Sequence, residues 1–140
     1  MFGLTSFEDR LVSWSKFRKQ LETSDDPLLD VICFYQDAIL QSNKIDPWNQ
    51  SAWPTAWELL DANRYCSFLL ILGYYYSLKN TDRFAKSNYS LLVIKDSING
   101  YISYRLKIDN YILGYDKEIL QTLPENLYIL RTYTQAELNK

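Results

Sequence analysis

The sequence predicts an α+β protein in which three N-terminal helices (residues 1–80) pack on a C-terminal antiparallel sheet of three to four strands, a meander over residues 84–134, within one domain. Three observations predict it. Apolar residues recur at helical spacing as far as Leu78, the recurrence then changes to a period of two after Asn80-Thr81-Asp82, and turn dipeptides follow at short intervals. A chain of 140 residues is near the commonest domain size, and folding removes about two thirds of its extended surface from water. Such a core can hold an aromatic content of 16% without a partner.

Thr5-Ser6-Phe7-Glu8 has capping-box spacing, and Phe7, Leu11, Trp14, Phe17 and Leu21 lie on one stripe, so the first helix is expected to run to about Glu22. Asp25-Asp26-Pro27 supplies a carboxylate cap and a proline at the first helical position. The second helix then carries apolar residues around nearly its whole circumference to Leu40, which predicts a central position. Residues 41–52 form a long connection. Thr55-Ala56-Trp57-Glu58 repeats the capping-box spacing, and the third helix is expected from Ala56 to Leu78 without interruption.

Beyond the helices, Ser90–Lys95 reads as a strand, and Ile102, Tyr104, Leu106 and Ile108 alternate with polar residues. Around Asn99-Gly100 a five-residue loop pairs Ile102 with Ile94 and Tyr104 with Leu92, keeping one apolar face, whereas a two-residue turn mixes the faces. A turn at Asp109-Asn110 sets Leu106 opposite Leu113. A loop containing Pro124 leads to a final strand, Leu127–Tyr133, and a polar tail.

A net charge of -2 gives no long-range attraction to phosphate, so a nucleic-acid partner is not expected. Lys16, Arg18 and Lys19 are read as a solvated helix face. The longest apolar run, Tyr65–Leu78, is too short to span a bilayer, no leader peptide is evident, and Cys33 and Cys66 read as small core hydrophobes, so a protein made in the cytoplasm is expected. The chain has no histidine, which removes Ser-His-Asp and Cys-His catalysis and every His-containing metal site.

Asp25, Asp26 and Asp30, or Asp46, Glu58 and Asp61, form acidic groups near helix starts, where capping and dipole roles account for them without a metal. Glu58 and Asp61 share a helical face but have no neighbouring base for acid-base work. No catalytic residue, cofactor or metal is expected. Cys66 followed by an antiparallel sheet resembles in outline the papain-like and transglutaminase-like core, whose nucleophilic cysteine begins a helix. A continuous third helix puts Cys66 three turns inside, and that likeness implies at most a catalytically dead relative.

The densest feature is Asp46–Leu60, which holds three of the four tryptophans and two of the four prolines. Proline stiffens both Asp46-Pro47 and Trp53-Pro54, so Trp48, Trp53 and Trp57 are expected on a rigid elbow, either as a lid on the core or as anchors for a partner. Tyr74-Tyr75-Tyr76 cannot all face inward on a helix, which adds Tyr74 and Tyr76 to the candidate partner-binding residues.

Asp46-Pro-Trp, Trp53-Pro-Thr-Ala-Trp-Glu-Leu, Asn63, Tyr65-Cys66, Phe68 and Ile71-Leu72-Gly73, continued in Ile108-Asp109-Asn110 and Ile112-Leu113-Gly114-Tyr115, resemble a small structural or assembly protein of large contractile-tailed bacteriophages, notably those of cyanobacteria. The resemblance implies a non-enzymatic virion component that docks on larger phage structural proteins at the neck, tail or baseplate, in multiple copies within a symmetric assembly. A soluble phage effector that binds a host protein is the alternative it leaves.

Overall fold

The computed structural model describes residues 1–41 and 45–138. Helix α1 spans Phe7–Thr23 and α2 Pro27–Tyr35; after a short turn at Gln50–Ala52 come α3, Ala56–Ala62, and α4, Ser67–Lys79. Five strands follow: β1 Tyr89–Asp96, β2 Ile102–Ile108, β3 Tyr111–Leu113, β4 Ile119–Leu120 and β5 Leu127–Tyr133, with a last turn of helix, α5, at Gln135–Leu138. The α+β division falls where the period changes, but the sheet has five strands, not three to four, and four helices precede it, not three. The fourth helix arises because the predicted third helix is broken.

The break has a visible cause. Asn63 adopts the left-handed conformation (φ 49°) as the C-cap of α3, and its side-chain amide donates to the Phe2 carbonyl at 2.8 Å. Arg10, buried on α1, donates to the carbonyls of Leu60 (2.8 Å), Asp61 (2.9 Å) and Leu4 (2.9 Å), so the orphan carbonyls at the end of α3 are met by a cation. Tyr65 then forms an isolated parallel bridge with Leu40, and α4 starts afresh. Two other helix ends also shift. Ser6, not Thr5, caps α1 by accepting from the Asp9 amide (3.0 Å), and α2 stops at Tyr35, leaving Ile39 exposed. Asp26 caps α2 without using its carboxylate.

All strand pairs are antiparallel, in the order β4-β3-β2-β1-β5. Leu106 faces Leu113 as the Asp109-Asn110 turn predicts. The first hairpin differs by one residue: Ile102 pairs with Lys95 and Tyr104 with Val93. Alternation predicts a five-residue loop only where a single face of the strand is apolar. In fact Leu91, Leu92, Val93 and Ile94 are all buried, so β1 is apolar on both faces and its pattern cannot fix the register. The loop is set instead by the turn itself, where Asp96 accepts the Ile98 amide on its side chain and the Gly100 amide on its carbonyl, with Gly100 at φ 77°.

One face of the sheet carries the helices. Leu91, Val93, Tyr104, Leu106, Leu113 and Tyr133 share a core with Trp14, Phe17, Val31, Ile32, Phe68, Ile71 and Leu72. Within it Trp14 Nε1 donates to Ser77 Oγ at 2.9 Å, and the Tyr35 hydroxyl hydrogen-bonds the same oxygen at 2.9 Å. Gly73 lets α4 approach the Tyr35 ring, since a Cβ there would lie 2.7 Å from the ring carbon Cε1.

The other face is closed by chain, not by helix. β5 leaves the meander and pairs with β1, so the six residues 121–126 cross from one edge of the sheet to the other. Four inter-strand steps measure about 19 Å, and the seven Cα steps of this strap reach about 23–25 Å when extended. The strap therefore has little slack. Leu120, Leu123 and Leu127 are laid on Leu92, Ile94 and Ile112 as a second, smaller core.

Candidate functional site

The elbow between α2 and α3 is held at several points. Asp46 accepts the Trp48 amide on its carboxylate at 2.9 Å, which makes an Asx turn and gives that acid a structural role. The Pro47 carbonyl accepts from the Tyr133 hydroxyl (2.7 Å), the Pro54 carbonyl accepts from the Tyr76 hydroxyl, and Gln50 donates its side-chain amide to the Glu137 carbonyl on α5. At the far end, Thr55 accepts the Glu58 amide (3.2 Å) while Glu58 accepts the Thr55 amide (3.0 Å), the reciprocal capping box the spacing predicts. These backbone and hydroxyl bonds hold the exposed Glu58 carboxyl below the usual glutamate range.

The tryptophans separate on this frame. Trp53 turns inward, its ring 5.0 Å from Phe68 and 4.7 Å from Tyr133, and acts as a lid on the core. Trp48 and Trp57 remain 51% and 55% exposed. Trp57 meets the solvent on one side and Trp14 edge-on at 5.8 Å on the other. Tyr74 is 1% exposed and donates to the Gly114 carbonyl at 3.1 Å, so it offers no surface to a partner; the third tyrosine of the run, Tyr76, is spent on pinning Pro54. Burial pushes the Tyr76 phenol up to about 12.

One residue read as plain solvated surface sits differently. The Arg18 guanidinium lies 4.1 Å over the Trp14 ring, four residues earlier on α1, and donates to the Asn80 carbonyl at 3.3 Å. Its Nε is buried and has no hydrogen-bond partner, and neither ion pair found among the described residues involves it. Desolvation lowers its pKa from the ordinary arginine value. The signal in the sequence was the Trp14-to-Arg18 spacing of four, which stacks a cation on a ring of the same helix face.

Cys66 is not three turns inside a helix, because the helix is broken before it. It is the N-cap of α4, 4% exposed, beside an apolar cleft of about 260 Å³ lined by Pro54, Leu59, Tyr65 and Leu69. The helix-start geometry of a thiol nucleophile is therefore present. What a Cys-His pair further needs is a base, and the chain contains no histidine. Of the acidic groups, Asp46 and Glu58 bind backbone amides, and Asp30 accepts the Ser24 hydroxyl. No group of three or more metal-ligating residues occurs among the described residues, and no helix among them is long and apolar enough to cross a membrane. No known family model, no characterised protein and no solved structure matches the chain.

Two further surfaces are apolar. β5 is an edge strand whose Tyr128, Ile129 and Leu130 are exposed, and the β1–β2 hairpin carries Ile98 and Tyr101 into solvent. The opposite edge, β4, has only two residues. Along the second half of β5, Arg131 pairs with Glu137 of α5 and stacks 4.2 Å over Tyr133, and this bond holds the Glu137 carboxyl down at about 2.

Proposed function

We propose that this chain is a non-enzymatic, virion-associated protein of a contractile-tailed bacteriophage, docking on larger virion proteins through the elbow and the β5 edge. The observation that carries the docking reading is the division of the elbow: Trp53 is fixed inside, while Trp48 and Trp57 stand half out of a frame pinned by Tyr76, Tyr133 and Glu137. Large aromatics on a rigid backbone lose little entropy on binding, and tryptophan anchors commonly cost 2 kcal/mol or more when truncated, about 30-fold in affinity. The phage assignment rests on the spelling of the elbow and of the segments after it.

The test replaces Trp48 and Trp57 together with Ala and supplies the variant to a phage lacking its own copy. Purified particles are expected to lose the protein while the isolated variant melts like the wild type. Normal copy number in variant particles overturns docking through the elbow. Mass spectrometry of washed wild-type particles separates the virion component from the soluble effector, which is absent from them.

A further inference from the structure

We infer that Arg18 and Trp57 together form a docking patch for an acidic segment of a partner protein, a carboxylate meeting the guanidinium while apolar side chains beside it cover the indole. This rests on the docking reading above and names the chemistry of the partner.

Both residues pack on the same Trp14 ring, Arg18 at 4.1 Å from its centre and Trp57 at 5.8 Å in a T-shaped contact, so the two groups stand within about 10 Å of each other, the span of about three extended residues. Burial desolvates Arg18, and no ion pair among the described residues gives it an anion in return. Of its donors, Nη1 goes to the Asn80 carbonyl and Nε is shut against protein with no acceptor, which leaves the remaining edge of the guanidinium to a partner. A part-buried cation with no counter-charge is complementary to a carboxylate, because a charge-assisted bond forms where much of the desolvation has already been met. Arginine and tryptophan are also among the residues enriched at binding hot spots. Glu58, next to Trp57 on α3, does not supply the missing anion, since its carboxylate is turned back onto the Thr55 amide.

The test needs no phage. Purified protein is applied to an immobilised peptide array in which leucine-containing peptides carry Glu at graded positions, with Gln-for-Glu versions of each as controls. Binding is expected for the acidic members alone, about tenfold weaker with Arg18→Gln and with Trp57→Ala, and retained in larger part with Arg18→Lys. Melting curves and circular dichroism establish that each variant is folded. Equal binding of Glu and Gln peptides, unchanged binding by Arg18→Gln, or no binding of any acidic peptide overturns the inference. If acidic peptides fail to bind while the Trp48/Trp57 variant is still lost from particles, docking stands and the acidic partner falls. If acidic peptides bind and particles keep normal copy numbers of that variant, the patch stands and virion docking falls.

Discussion

Replacing Ser77 with Ala removes one oxygen from the middle of the core, and the cost can be followed atom by atom. Ser77 is fully buried, and its Oγ receives the Trp14 indole N–H and bonds the Tyr35 hydroxyl, both at 2.9 Å. Once it is gone, the indole can turn only to the phenol oxygen beside it, and the phenol proton is then left without an acceptor. At least one buried donor is orphaned, for about 1–3 kcal/mol, and two if the indole cannot shift. Set against a total stability of about 5–15 kcal/mol this is a large fraction. With a urea slope of about 1–3 kcal/mol per molar, the midpoint falls by about 1 M at unchanged slope. Tyr35→Phe is expected to cost less, because Ser77 keeps its indole donor, and the double variant is expected to cost less than the two singles combined. A midpoint shift under about 0.3 M, or strict additivity in the cycle, refutes the idea that these three side chains act as one network.

Alkaline pH and the strap give two further predictions. Burial raises the phenols of Tyr35 and Tyr76 to about 12, against about 10 for an unfolded tyrosine, so the protonated folded form is favoured: stability is level up to about pH 10 and falls as pH rises toward 12. Tyrosinate absorbance is expected to appear together with loss of near-ultraviolet dichroism, and buried tyrosines titrating near pH 10 in an intact fold contradict this. Deleting Gln121 and Thr122 shortens the strap's reach to about 16–18 Å, less than the sheet it must cross, so hydrogen exchange is expected to show β4 or β5 detached. Inserting two glycines at the same place is expected to leave the amides protected, and wild-type protection in the deletion variant refutes the taut strap.

Much of the fold is legible in the sequence, and the exceptions have particular causes. The period change near Asn80, the capping box at Thr55, the Leu106–Leu113 register and the span of β5 are local signals with local causes. The break at Asn63 is not, since the segment from Ala56 to Leu78 keeps helical periodicity throughout; the interruption is maintained by Arg10 and by the Phe2 carbonyl, both some fifty residues or more away in sequence. β4 escaped because two residues carry no period. The hairpin register escaped because both faces of β1 are covered, one by helices and one by the strap.

The elbow follows the same division. Its stiffness is written in its prolines and caps, but which tryptophan turns inward depends on Phe68, Tyr133 and Trp14, brought up by three other elements. Helix spacing likewise brings Arg18 to Trp14, but the carbonyl that Arg18 also reaches, Asn80, comes from the end of α4, sixty-two residues on.

The crossing of the strap also sets an order of events during synthesis. β1 through β4 can pair with their sequence neighbours as they leave the ribosome, yet the outer edge of β1 and the apolar side chains Leu92, Ile94 and Ile112 wait for residues 121–133, which emerge after all four. Loop closure over such a separation is slow beside hairpin formation. For that interval the nascent chain presents an unpaired, β-branched and leucine-rich edge, the kind that joins neighbouring chains. The pairing of β5 with β1 is thus the step that closes this edge to other chains.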